Sequence, residues 1–298
     1  MQKPHQRSTV NHGKWRNAAL TALLLGLVVV LGMILGKVLF GGMGVFLVGA
    51  LGLLAAVAGP RLSTGWTLRL LRARRLEYGD SPRLMSLFNA LVKAAGLSER
   101  PALYAAPVGM PNAFTLSVDR GSAVVLTTGL LSQLNTRELA GVLAHELSHI
   151  KSGDLKLIGL ADSFRRLTHT FAAVGVFSFL LMFPLMLFGA PGFSFWGLLL
   201  VIASPTLSLL LELALSRTRE FEADRITVEL TGDPEGFISA LTKIDGRNLQ
   251  LRSLLFGPVR EPRRGGLLRT HPSTDERIRR IRRAGPWPAP THAALFKA

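Results

Sequence analysis

With no cysteine among its 298 residues, the chain can form no disulfide, hold no metal through thiolate and use no thiol as a nucleophile. Any metal must therefore be held by histidine and carboxylate. Histidine is scarce, seven in all, and acids are outnumbered, with 19 Asp and Glu against 35 Lys and Arg and a formal net charge of +16. The absence of cysteine fits a domain facing the reducing cytosol. What the chain has in quantity is apolar side chains: 48% of residues are hydrophobic and the mean hydropathy is +0.33. Greasiness combined with positive charge points to a membrane protein with basic cytoplasmic flanks rather than to one large or two small soluble domains.

The apolar residues are gathered into runs. After a basic tail, residues 1–17, come two runs at about 18–36 and 38–58, parted by a break carrying only Lys37. Each is long enough to cross a bilayer core of about 30 Å. The first could be read as a signal peptide; no small-residue cleavage site leads into a soluble segment and a second run follows at once, which favours a retained hairpin. Arg61, Arg69, Arg72, Arg74 and Arg75 follow the second run, so the positive-inside bias puts the N-terminus and the segment after residue 60 in the cytoplasm. Without aromatic interleaving or a recognisable module, this basic cluster gives no ground for nucleic-acid binding. A third and a fourth run, about 171–190 and 192–215, are joined by the uncharged Ala190-Pro191-Gly192 and form a second hairpin. Two crossings return the chain to the side it left. The expected segments are therefore a tail (1–17), a first hairpin (18–58), a cytosolic part (59–170), a second hairpin (171–215), a second cytosolic part (216–285) and a loose end (286–298).

In the first cytosolic part, Ser81-Pro82 and Gly96 bracket a helix. Short strands are expected at 102–106, 113–117 and 123–127, the last two as a hairpin in a small antiparallel sheet. Its exposed edge could take an extended peptide near Ala113-Phe114; equally, the strands could only roof the core. Next comes Leu139-Ala-Gly-Val-Leu-Ala-His145-Glu146-Leu147-Ser148-His149-Ile150. Asn135 and Glu138 form a capping box, Gly153 offers a stop, and Leu139, Val142, Leu143, Leu147 and Ile150 recur at helical spacing. On a helix His145 and His149 share a face and can grip one ion, with Glu146 beside them. After the fourth run stands Ser216-Arg-Thr-Arg-Glu220-Phe-Glu222-Ala-Asp224, with no breaker before Gly232. Glu220 and Asp224 also share a face, as suits a ligating glutamate and an aspartate that orients a ligating imidazole. Glu222 is the rival ligand, without an acid four residues on. Read alone, the stretch would be a solvated face of Glu–Arg ion pairs.

His145-Glu-Leu-Ser-His149 after Ala140-Gly-Val-Leu-Ala144, the Ser216–Asp224 stretch, Asn112-Ala-Phe114 and Thr270-His-Pro272 together resemble the HtpX-type membrane zinc metalloproteases, relatives of the CAAX prenyl proteases. The resemblance spans roughly residues 18–285. It implies one zinc per chain on His145, His149 and Glu220, with Glu146 catalytic and Asp224 in support. His271 and Asn112 match positions lining the cleft in the family and are candidates for the oxyanion donor; the plainer view makes each a turn residue beside a proline. The implied protein is a mainly α membrane protein, four transmembrane helices in two hairpins with a cytosolic α+β zincin-like domain. It would sit in the bacterial inner membrane and cut misfolded or damaged membrane proteins. Four spans rather than more argue against prenyl-protein processing, which stays the alternative beside a silent scaffold with a structural zinc. Such closed sites prefer four Cys or His ligands. Toward the C-terminus, Asp233-Pro234 starts a helix to about Ile244 with Phe237, Leu241 and Ile244 buried. Nine Arg between 260 and 283 follow, either a lipid-headgroup contact or a solvated face.

Overall fold

The computed structural model describes residues 4–118, 121–189, 194–256 and 272–285. The chain divides into two compact units, one of residues 1–59, 156–218 and 267–270, the other of the remainder.

The first unit is helical. Helix α1 (Pro4–Leu70) leaves helical geometry at Gly41, whose φ is +64°. A Cβ placed at Gly36 would stand 2.6 Å from the carbonyl oxygen of Gly44, and one at Gly32 would touch Val48. Residues eight apart on a straight helix lie about 12 Å from one another, so the chain doubles back at Gly41 and glycines let the two legs close on each other. Helices α5 (Asp154–Leu187) and α6 (Phe195–Thr231) run through Pro184 and Pro205. Val28, Leu35, Val48, Phe164, Phe171 and Val201 form the unit's buried cluster. Among the described residues three helices are long and apolar enough to cross a membrane, Ala19–Leu51, Leu157–Leu187 and Phe195–Thr231, and the first of these contains the bend.

The second unit packs helices on a sheet of four strands, β1 (Arg74–Arg75), β2 (Ala102–Ala106), β3 (Ala113–Ser117) and β4 (Ser122–Thr127), in the order β1-β2-β4-β3. The β3–β4 hairpin is antiparallel as expected, but the sheet is mixed, because β2 and β4 run parallel. The expectation of an antiparallel sheet is corrected by burial: Ala123, Val124, Val125 and Leu126 are all inaccessible. A strand apolar on both faces belongs in the middle of a sheet, so the hairpin turns β3 outward and β4 inward against β2. The pair Arg74–Arg75, which reads in sequence as part of a basic flank, closes the other edge.

Helix α2 (Pro82–Ala95) has Pro at its start and Gly96 in the left-handed region at its end. A short helix, α3 (Thr128–Gln133), capped by Thr127, was not anticipated. Helix α4 (Thr136–Lys151) forms behind a complete capping box: Asn135 accepts from the Glu138 N–H and Glu138 from the Asn135 N–H. Leu143 and Leu147 are fully buried on its inner face beside Phe88, Leu91 and Leu126, each worth roughly 1.5–3 kcal/mol of burial. Helix α7 (Pro234–Phe256) outruns its expected end near Ile244, and α8 (Thr274–Arg283) closes the described chain.

Candidate metal centre

Helix α4 lays His145 and His149 one turn apart, their Nε2 atoms 3.3 Å from each other. The last turns of α6, which runs unbroken to the left-handed Gly232, bring Glu220 to them: its Oε2 lies 3.4 Å from His145 Nε2 and its Oε1 3.8 Å from His149 Nε2. The ligand atoms of the three residues all fall within 4.8 Å of one another. Bonds of 2.0–2.1 Å to a tetrahedral zinc would set such atoms about 3.3–3.4 Å apart. Glu222 turns elsewhere and pairs with Arg225.

The other ring nitrogens explain the orientation. His149 Nδ1 lies 2.8 Å from Asp154 Oδ2 and His145 Nδ1 lies 3.3 Å from Asp224 Oδ1. An Nδ1–H of His149 given to Asp154 leaves that ring's lone pair on Nε2, and with the Asp224 carboxylate at ion-pair distance from His145 Nδ1, displacement of the proton from His145 Nε2 turns both Nε2 atoms into donors for one ion. Burial pulls the His145 pKa down, but the hydrogen bonds to Asp224 and Glu220 outweigh it and push it up to about 9. The centre thus favours a positive charge between the rings. Its surroundings agree: the carboxylates of Glu146, Asp154, Glu220 and Asp224 face the guanidiniums of Arg219 and Arg277. Once His145 gives up its proton, four negative charges against two positive leave an excess that one divalent cation neutralises. The donor set, nitrogen and oxygen without sulfur, suits zinc.

Glu146 is buried next to the centre, and Thr115 of β3 donates its hydroxyl to Glu146 Oε2 at 2.7 Å. Asp224 is gripped by Arg277 through Nε at 2.9 Å and Nη2 at 2.5 Å. Arg277, itself 8% exposed, also brings Nη2 to 3.4 Å from His145 Nε2. Asn112 is exposed at the entry to β3, its main chain bonded to Thr127. His271 lies outside the described residues.

Sequence reasoning had no place for Asp154, Arg219, Arg277 or Thr115. Asp154 follows the turn at Gly153, φ +70°, which ends α4 and starts α5; an acid straight after the stop of a two-histidine helix is a signal that could have been used. Arg277 hides in an arginine-rich run, and only its i,i+4 relation to buried Ile281 marks it as inward-facing.

The model of peptidase family M48 matches residues 80–284. The chain belongs to peptidase family M48. It is 32% identical over 286 residues to a protease HtpX homolog of Methylibium petroleiphilum, covering 89% of this chain and 96% of that one. It is 35% identical over 232 residues to a protease HtpX homolog of Bifidobacterium longum, covering 70% and 72%. The crystal structure of S. mikatae Ste24p superposes with a TM-score of 0.52 at 16% identity, over 94% of this chain and 66% of that one, which establishes likeness of fold. An M48 chain with this His-His-Glu group and these apolar helices is a membrane metalloprotease, a zinc metallopeptidase homologous to HtpX.

Proposed function

We propose that this M48 peptidase is an endopeptidase of the bacterial inner membrane that hydrolyses misfolded or damaged membrane proteins, with one zinc held by His145, His149 and Glu220. The observation that carries the reading is the convergence of those three side chains within 4.8 Å beside a buried glutamate that takes no part in the cage. A bound zinc supplies Lewis acidity, making water a nucleophile at neutral pH and polarising the scissile carbonyl.

The remaining chemistry falls to the protein. Glu146 accepts the proton of the attacking water and returns it to the leaving amine as general base and then acid. Asp224 fixes the tautomer of His145 through Nδ1. Asn112 and His271 are the proposed donors to the oxyanion. The substrate lies extended along β3, an outer strand of the sheet, near Ala113-Phe114, adding its main chain to the sheet. The apolar helices on the same chain support substrates drawn from the bilayer, crossed four times once the two legs of α1 are counted separately. The N-terminus and the centre then both face the cytoplasm.

The reading is tested with purified wild type and Glu146→Gln on a casein-like substrate. The variant is expected to keep its zinc and lose at least about a hundredfold in kcat, the lower end of general acid–base contributions. Equal cleavage by the two proteins would remove Glu146 from the mechanism. Cleavage of a farnesylated C-terminal peptide, with unmodified membrane proteins left whole, would move the substrate class to prenyl proteins.

A further inference from the structure

Helix α4 and strand β3 meet at one polar contact on the proposed base. Thr115 Oγ1 reaches both Glu146 Oε2, at 2.7 Å, and the Glu146 carbonyl, at 3.4 Å. A hydroxyl has one hydrogen to give, and the short approach to the carboxylate takes it. The strand register shows why Thr115 is the residue in this position. Asn112 O accepts from the Thr127 N–H, and the Val118 N–H donates to Gly121 O. Hydrogen-bonded pairs alternate along an antiparallel ladder, so Asn112, Phe114, Leu116 and Val118 turn their main-chain groups toward β4. Ala113 and Thr115 turn theirs to the outer edge, beyond which no strand lies among the described residues. Thr115 therefore presents its main chain to the outer side of the sheet and its side chain to the carboxylate of Glu146.

We infer that Thr115 is a positioning residue: its hydroxyl holds the Glu146 carboxylate in one rotamer, from the strand along which a peptide would bind. A glutamate side chain has several torsions to restrain, and a charge-assisted bond of this length restrains the last of them where the proton must be taken. The inference rests on the reading of Glu146 as general base.

Four full-length proteins in detergent test it, namely wild type, Thr115→Val, Thr115→Ser and Glu146→Gln, with kcat, KM, bound zinc and melting temperature read for each. Thr115→Val keeps the branched shape and removes the donor. It is expected to lower kcat about tenfold, a fraction of what a general base contributes, while KM and zinc content stay within about twofold of wild type. Thr115→Ser retains the hydroxyl and is expected to recover most of the loss. Should the valine lower the melting temperature, Thr115→Ala removes the same donor without the added methyl and must show the same fall in kcat. A wild-type kcat in Thr115→Val overturns the inference, as does loss of zinc, a change confined to KM, or a serine variant as impaired as the valine. If Glu146→Gln is inactive while Thr115→Val is unchanged, positioning alone fails. If Glu146→Gln is fully active, the base assignment falls and the inference with it.

Discussion

At the scale of the residue, the centre depends on which nitrogen of each histidine is spoken for. Asp154 takes Nδ1 of His149 and is held by Arg219, so it does for His149 what Asp224 does for His145. Loss of such an orienting carboxylate typically costs 10–100-fold in metal affinity. Asp154→Asn is expected to fall in that range, measured by competition with a chromophoric chelator. Proton and metal also compete for His145, whose pKa stands near 9 against an ordinary value of 6.5. Zinc binding at pH 7–8 should release about one proton from this ring, visible as a buffer-dependent heat in calorimetry, and the apparent affinity should rise with pH up to about 9. Stability of the chelator-treated protein has the opposite sign. A raised folded-state pKa contributes stability that is complete below pH 6.5 and is lost as pH climbs through about 9. Its melting temperature should therefore fall across that window. A melting temperature that rises there would show that His145 is not the group holding the proton.

At the scale of the element, α4 is the piece on which the site is built, and it is held at its N-terminal end and midway. Its N-terminal Glu138 is buried, accepting from Ser239 Oγ at 2.6 Å and Lys243 Nζ at 2.8 Å as well as closing the capping box. Arg137 adds a bidentate pair with Asp233. Midway, Gly141 allows α7 to come close: a Cβ there would stand 3.0 Å from Phe237 Cα and 3.1 Å from its Cβ. Backbone yields less readily than a flexible side chain, so Gly141→Ala asks α7 to give way by a few tenths of an ångström. Overpacking of this kind costs about 1–3 kcal/mol. The expected result is a lower melting temperature together with weaker zinc binding, since Phe237 also packs on the His145 ring with centroids 5.6 Å apart. The helix itself, its cap and its stop were legible in the sequence because they are local. The partner of Glu138 was not, because Lys243 is more than a hundred residues away and nothing in a capping box requires one.

At the scale of the whole molecule, the apolar runs and the charge bias make a prediction that the composition renders easy to test. The chain has no cysteine, so single cysteines can be placed and labelled without background. Ser8→Cys and Ser132→Cys are expected to react from the cytoplasmic side. Gly42→Cys, one residue past the bend in α1, and Phe188→Cys, exposed just past the end of α5, are expected to react from the opposite side. Labelling of Ser132→Cys and Gly42→Cys from the same face would break the four-crossing topology. The bend was legible in sequence only as a break near Lys37; the structure puts it at Gly41, where φ is positive and a side chain would be strained.

What the sequence determined by itself is everything carried by short-range periodicity. Histidines four apart fall on one helix face, carboxylates four apart fall on another, and apolar runs of membrane length have no stable alternative in lipid. The order of the sheet, by contrast, depends on which strand is covered on both faces, and Asp154, Arg219, Arg277 and Thr115 enter the site from four separate stretches of chain. Those were tertiary decisions. A buried charge must find its partner wherever packing has put one, and the distance along the sequence does not enter that requirement.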